Sequence, residues 1–312
     1  MFHWKDHILN SNQPENKNKA IKKLVYLSSE NQLPPLPNIL KWEKIKTPSS
    51  EEIDKYTQFL YQNYISNSFL SLYYSPSFIT TLLSDSLLLI MSNSLTQEII
   101  AGIVGIPMDI KIGDQVEKWL LLDFLCIKKE NRNKGFTRYL IQELYQWGIK
   151  EGYQQAVFTR GKTPTSGSFV ANYWIRSIND KKLKQLGYLK LNEYFPPLNK
   201  KNIYSLQLAN IDDLDKVKSL FELLSENISE VNQIVPQFNS SQIKKWILSS
   251  DFHIYFNEEE KILLSWYDLP YQINKSSQQI KTGYLFYYYL PLHLSISRII
   301  NTFLNLLEEQ KY

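Results

Sequence analysis

Cysteine is almost missing from this chain. One of the 312 residues is Cys, at position 126, so no intramolecular disulfide can form and a secreted, disulfide-stapled framework is excluded. Histidine is nearly as sparse: His3, His7, His253 and His293 lie far apart, with no Cys or carboxylate at metal-ligand spacing, which argues against a metal centre. No run approaches the roughly 20 apolar residues of a membrane span. The N-terminus, MFHWKDHILNSNQ, lacks the basic region, apolar block and small-residue cleavage site of a secretory leader, and a cytoplasmic location is expected. Neither GxGxxG nor a Walker lysine pattern occurs, which disfavours dinucleotides and nucleoside triphosphates as first candidates. Charge of one sign is not in large excess either. Its 35 basic and 31 acidic residues leave +4, spread along the chain, weak support for a nucleic-acid partner. Alanine is confined to positions 20, 101, 156, 171 and 209 while Asn, Ile, Lys, Ser and Tyr abound, a coding bias without functional content.

What is present is a folded composition, 43% apolar and 14% aromatic, with length for two domains or one composite unit. Residues 1–47, polar from residue 10 and with Pro34, Pro35 and Pro37 close together, read as an arm or linker. Ser49-Ser50-Glu51-Glu52 caps a helix with apolar positions Ile53, Tyr56, Phe59, Leu60 and Tyr64, and a second capped helix starts at Ser75-Pro76. Strands are expected at 86–92, 98–111, 118–127 and 155–159. The later half repeats this order, with a helix over 212–227 and strands at 253–256, 261–270 and 284–290. Leu214-Asp215-Lys216 stands where Ile53-Asp54-Lys55 stood, and Leu269-Pro270 where Ile106-Pro107 stood, at a nearly constant offset. A duplicated module follows.

The segment Leu120 to Arg138 carries most of the chemistry. An apolar run, Trp119 to Ile127, leads through a basic, Asn-rich loop containing Gly135 into the amphipathic pattern Tyr139 to Trp147. This order is strand, loop, helix. The N–H groups of Asn131 to Thr137 at a helix N-terminus, among Lys128, Lys129, Arg132, Lys134 and Arg138, suit a pyrophosphate, and coenzyme A is the first candidate. A thioester lying along that loop would bring its carbonyl to Phe124, Leu125 and Cys126. Amides released from the ladder where the strand bends could there stabilise a tetrahedral oxyanion, with no side-chain nucleophile needed. An ordinary buried strand and βα turn fits the same local pattern, and that alternative stays open at this point. Cys126, inside an apolar strand, reads as an inert core thiol. Thr159 either meets a substrate or merely ends its strand, and the tyrosines of 284–289 either pack the core or line a peptide groove.

Longer stretches carry a likeness: DFLCIKKENRNKG at 123–135, EGYQQAVFTRG at 151–161, NYWIRSINDKKL at 172–183, PLPNILKWE at 35–43, YYSPSFI at 73–79, AGIVGIPMDIKI at 101–112 and LLSWYDLP at 263–270. From about Pro35 to the chain end the sequence resembles the glycylpeptide N-tetradecanoyltransferases, or N-myristoyltransferases. The resemblance implies an α/β (α+β) fold with mixed sheets, made of two fused acetyltransferase-like modules of the GCN5-related kind. An acyl-CoA-binding module is expected over 48–198, and a peptide-side module, incomplete, over 199–312. The implied reaction moves myristate from myristoyl-CoA to the N-terminal glycine amine of peptides and proteins, without a metal, nucleic acid or membrane insertion, by a monomer.

Position by position, the resemblance assigns the oxyanion amides to Phe124 and Leu125, and the CoA phosphate loop to Arg132, Asn133, Lys134, Gly135, Phe136 and Thr137. It puts the threonine beside the acceptor glycine at Thr159. On the peptide side it places Ser265, with Tyr64 and Tyr284. The amine has a pKa of about 8 and needs a base at neutral pH, which in the family is the enzyme's own C-terminal carboxylate. This chain is expected to lack the family's last strand, Gly-rich hairpin and C-terminal base, since Tyr312 closely follows the helical region at 296–307. Ser66-Asn67-Ser68 replaces the family's acidic run, Ile175 its motif histidine and Tyr288 an asparagine. A non-catalytic acyl-CoA or peptide-binding relative and an amine acetyltransferase are the alternative readings.

Overall fold

The computed structural model describes residues 33–64, 69–159, 174–230, 232, 234–274 and 278–312. The first half forms β1 (Leu40–Lys46), α1 (Ser50–Asn63), β2 (Leu70–Leu72), α2 (Pro76–Leu83), β3 (Leu87–Asn93), β4 (Ile99–Ile112), β5 (Gln115–Ile127), α3 (Phe136–Lys150) and β6 (Gln155–Phe158). Then follow α4 (Asp180–Gln185), β7 (Gln207–Leu208), α5 (Leu214–Ser229), β8 (Ile234–Gln237), α6 (Ser240–Leu248), β9 (Phe252–Asn257) and β10 (Ile262–Asp268). The last elements are β11 (Tyr271–Ile273), β12 (Gln279–Ile280), β13 (Gly283–Tyr289) and α7 (Ile296–Glu309). Both helix starts expected early in the chain are present: Ser49 and Glu52 form a reciprocal capping box on α1, and the Ser75 hydroxyl accepts the Phe78 N–H on α2.

The main sheet runs β1-β3-β4-β5-β6, mixed because β5 and β6 pair in parallel around α3 while its other pairs are antiparallel. A second sheet runs β13-β10-β9-β7. Its order repeats β5-β4-β3-β1, so the duplication extends from pattern to topology. Residues of α3 pack on one face of the main sheet through Leu140, Leu144 and Trp147 against Leu87, Leu89 and Leu120. The other face joins a core in which Tyr56, Phe78 and Phe124 from the first half meet Phe221, Trp246 and Phe286 from the second. Helix α7 covers the far side of the second sheet through Ile299, Phe303 and Leu307.

Two elements depart from the expectation. Residues 40–46 are not linker, as the reading of 1–47 had them; β1 pairs with β3 along its whole length. Its charged Lys41, Glu43, Lys44 and Lys46 disguise it, and an edge strand with one neighbour tolerates them. Strand β8, from the second half, adds to the main sheet by pairing with Asp109–Ile112 of β4. With four residues, Pro236 among them, it has too little periodicity to stand out. The expected readings at residues 1–32, Ser66 to Ser68, Arg160-Gly161 and Asn172-Tyr173 lie outside the described residues. Among the described residues no helix is long and apolar enough to cross a membrane, and no cluster of His, Cys, Asp and Glu could hold a metal ion.

Candidate functional site

The site is built on an irregularity in β5. Asp123 pairs with Val104 and Cys126 with Gly102, so Phe124 and Leu125 together stand opposite Ile103. This is a β-bulge, with one extra residue on β5. Its effect on facing is direct. Leu120 and Leu122 point to the α3 side, and strict alternation would send residues 124 and 126 there too. Instead Phe124 and Cys126 join the interior core and Leu125 and Ile127 take the α3 side. Asp123 and Phe124 are thereby placed on one face.

Phe124 adopts φ of +51°, a left-handed conformation that costs a non-glycine residue about 1–2 kcal/mol and is held from both sides. The Tyr56 hydroxyl of α1 donates to the Phe124 carbonyl at 2.6 Å, and the Phe124 ring packs edge-on against Tyr74 and near Tyr64. Room for Tyr56 comes from Gly102, where a Cβ would fall 2.4 Å from the tyrosine ring. The Phe124 N–H donates to Asp123 Oδ1 at 2.7 Å. The two amides expected as oxyanion donors therefore do leave the regular register, and that of Phe124 is in contact with a carboxylate.

The strand ends in a 3-10 turn, Lys129–Asn131, and the loop then enters α3. Arg132 reaches back: its guanidinium donates to the Ile127 carbonyl at 3.3 Å and to the Asn63 carbonyl at the end of α1. Asn63 also accepts the Lys129 N–H at 3.2 Å, so α1, which carries Tyr56, is fastened to the loop. Asn133 and Gly135 have φ of +64° and +85°, values that asparagine and glycine bear best. Gly135 is the N-cap of α3 and supplies no side-chain acceptor, and no acidic residue lies in the first turn. At this end Thr137 is exposed and Phe136 half-buried, beside exposed Lys134 and Arg138. Such an end favours an anion. Lys128 is instead neutralised by Glu98 and Glu130.

Thr159 is exposed and lies one residue past β6. The parallel ladder ends at Leu122 and Phe158, so Thr159 and Asp123 are the next residues on neighbouring strands and the threonine is brought to the bulge. Tyr64 ends α1 with its ring near Tyr74 and Phe124. Tyr284 stacks on Tyr267 and shares a 2.7 Å hydrogen bond with Tyr271. Burial raises the pKa of the Tyr56, Tyr64 and Tyr74 hydroxyls, with Asp123 adding to each. They stay neutral donors. Burial likewise pushes the Cys126 thiol up to about 12, which leaves it without nucleophilic character at neutral pH.

Ser265 is held inside the second sheet. It is 1% exposed, and its hydroxyl accepts the Tyr287 N–H and donates to the Tyr287 carbonyl, each at 2.9 Å. The reason is a second bulge: Phe286 and Tyr287 of β13 stand opposite Ser265 of β10 as Phe124 and Leu125 stand opposite Ile103. In the second module the bulge is filled by a serine side chain, and the N-terminus of α7 is capped by the Ser295 hydroxyl. In the first module the bulge amide of Phe124 meets the Asp123 carboxylate instead and α3 has no side-chain cap, so the two halves differ at this place. Sequence reasoning did not single out Asp123, Tyr56 or Gly102. For Asp123 a signal existed, the one charge inside the apolar run Trp119 to Ile127. Nothing local marks Tyr56, whose partner lies 68 positions away.

Residues 20–168 match the family model described as myristoyl-CoA:protein N-myristoyltransferase, N-terminal domain. Glycylpeptide N-tetradecanoyltransferase 2 of Bos taurus is 24% identical over 277 residues, covering 81% of this chain and 55% of the relative. The Plasmodium falciparum glycylpeptide N-tetradecanoyltransferase is 28% identical over 211 residues, 62% of this chain and 50% of the relative. The chain thus spans about half the length of these curated relatives. The crystal structure of Saccharomyces cerevisiae N-myristoyltransferase with bound myristoyl-CoA superposes with a TM-score of 0.71 at 19% identity, covering 89% of this chain and 76% of that one. The fold is therefore the one seen there, and residues 20–168 are similar to the N-terminal domain of the N-myristoyltransferases.

Proposed function

We propose that this protein transfers myristate from myristoyl-CoA to the N-terminal glycine amine of peptides and proteins, a step in making lipoproteins. The observation that carries the reading is the union, on one strand-loop-helix, of the Phe124–Leu125 bulge and the α3 N-terminus without a side-chain cap. The helix end and Lys134 would hold the CoA phosphates, the loop from Arg132 to Thr137 would wrap them, and the bulge would receive the thioester oxygen. Thr159, next to the bulge by register, would meet the incoming amine, with Tyr64 and Tyr284 on the peptide side. The names of the relatives support the donor and the acceptor class. In this reading the protein works as a monomer in the cytoplasm, with Cys126 kept as a buried thiol.

The test is calorimetric titration with myristoyl-CoA and acetyl-CoA, followed by transfer of labelled myristate to a Gly-initiated peptide. Myristoyl-CoA is expected to bind more tightly, and label to appear in the peptide. Leu125→Pro, which removes one amide donor, is expected to lower kcat by about 10²-fold or more. Equal affinity for the two thioesters, or no binding of either, rejects the reading. Binding without transfer leaves an acyl-CoA-binding relative.

A further inference from the structure

We propose that the lobe formed by residues 174–203 is a membrane-docking surface, which seats the protein on a bilayer carrying anionic lipid headgroups. The inference goes beyond the acyl-transfer reading and does not depend on it.

The charges of this chain are spread along it, but their balance is not. Residues 174–203 hold seven basic residues against two acidic ones, while all other positions hold 28 basic against 29 acidic, so the excess positive charge of the sequence lies in this lobe. Both of its carboxylates are committed to its own backbone. Asp180 accepts the Phe195 N–H and Glu193 accepts the Lys190 N–H, each at 3.1 Å. Lys200 is paired with Glu308 of α7 at 2.8 Å. Lys181, Lys182, Lys190 and Lys201 form no ion pair with another described residue.

Four large apolar side chains of the same lobe stand in water. Trp174 is 92% exposed, Leu191 87%, Ile175 74% and Tyr194 73%. Internal contacts gather them. The Arg176 guanidinium donates to the Pro196 carbonyl and lies 5.0 Å over the Phe195 ring, so the stretch with Trp174 and Ile175 runs beside the one with Tyr194. Leu191 sits in the turn that Glu193 closes. The base of the lobe is anchored, because Ile178 packs on the core beneath α7, and Asn301 and Asn305 of that helix donate to the Asn199 carbonyl. An anchored lobe that keeps such side chains in water marks a contact surface.

The composition selects the partner. Side chains this exposed project from the surface instead of lining a groove, and leucine and isoleucine gain nothing on a phosphate backbone, where free arginines and stacked aromatics would serve. The lobe's one arginine is turned onto its own loop. A bilayer interface satisfies every part: tryptophan and tyrosine lie at headgroup level, the aliphatic side chains lie below it, and lysines meet anionic headgroups. The seat is peripheral, since among the described residues no helix is long and apolar enough to cross a membrane. It also suits the proposed reaction, whose product would carry a single myristoyl chain, an anchor that by itself holds only marginally.

The experiment is sedimentation of the full chain with vesicles of phosphatidylcholine alone and of equal parts phosphatidylcholine and phosphatidylserine, without any CoA thioester, at rising salt. Binding to the anionic vesicles is expected, weakening as salt screens the lysines, with little binding to the neutral ones. Combining Lys181→Gln, Lys182→Gln and Lys190→Gln should lower the partition coefficient by about 10²-fold, at about fivefold per lysine. Leu191→Ser, at an exposed position outside the core, should weaken binding at every salt concentration. The emission of Trp174, isolated as the difference between wild type and Trp174→Phe, should shift to the blue on anionic vesicles. No binding to anionic vesicles, equal binding to both kinds, a triple lysine variant that binds like the wild type, or an unmoved Trp174 emission overturns the proposal. Binding of single-stranded RNA without binding of vesicles overturns it too and makes the lobe a nucleic-acid surface. No thioester takes part, so failure here leaves the acyl-transfer reading to its own titration.

Discussion

Tyr56 shows how one hydroxyl holds an unusual backbone conformation. Phe124 sits at positive φ, and the buried bond from Tyr56 to its carbonyl ties it to α1. Tyr56→Phe would strip the donor and leave a buried carbonyl unpaired, at a cost of about 1–3 kcal/mol. Denaturant unfolding should register this loss, and myristoyl-CoA affinity should fall with it, because the bulge would lose its fixed angle. Unchanged stability would mean that water replaces the hydroxyl. At this scale the sequence was legible where chemistry is local. The strand, the basic loop and Gly135 can be read from neighbours in the chain, as can the positions of Phe124 and Leu125. The Tyr56 to Phe124 contact and the space at Gly102 are created only when α1 lies on the sheet, and no spacing rule reveals them.

Among elements, the pair of bulges explains why a duplicated module does not make a duplicated site. Both modules bring a strand to a register shift and follow it with a helix, yet Ser265 closes the second bulge and Ser295 caps the second helix. The resemblance alone gives Ser265 a peptide-side role, and its position in β10 was legible. Its engagement with Tyr287 was not, since that depends on the register between β10 and β13. Ser265→Ala should therefore behave as a structural lesion, leaving the buried Tyr287 N–H without its acceptor. The expected loss is about 1–3 kcal/mol of stability, with kcat changed little at temperatures where the variant stays folded. Thermal unfolding and transfer kinetics on the same preparation decide the matter. A collapse of kcat with stability intact would return Ser265 to the substrate side.

At the scale of the whole molecule, the repeat suggests two separable halves and the packing joins them. The interior core takes side chains from both, β8 from the second half extends the main sheet of the first, and β11 pairs with β2. These links are short strands and scattered aromatic contacts, which is why the repeat could be read from the sequence while the interlocking could not. Halves that share a core lose it together, so calorimetry should show one cooperative unfolding transition. Myristoyl-CoA provides the sharper form of the test, because ligand bound to the native state stabilises whatever unfolds with its site. At a free concentration of 100 times Kd the stabilisation is about 2.7 kcal/mol, and it should move the entire transition, followed equally by Trp266 in the second sheet and Trp147 on α3 through single-tryptophan variants. If the Trp147 signal shifts and the Trp266 signal stays, the second half unfolds on its own, and the shared core does not couple the modules.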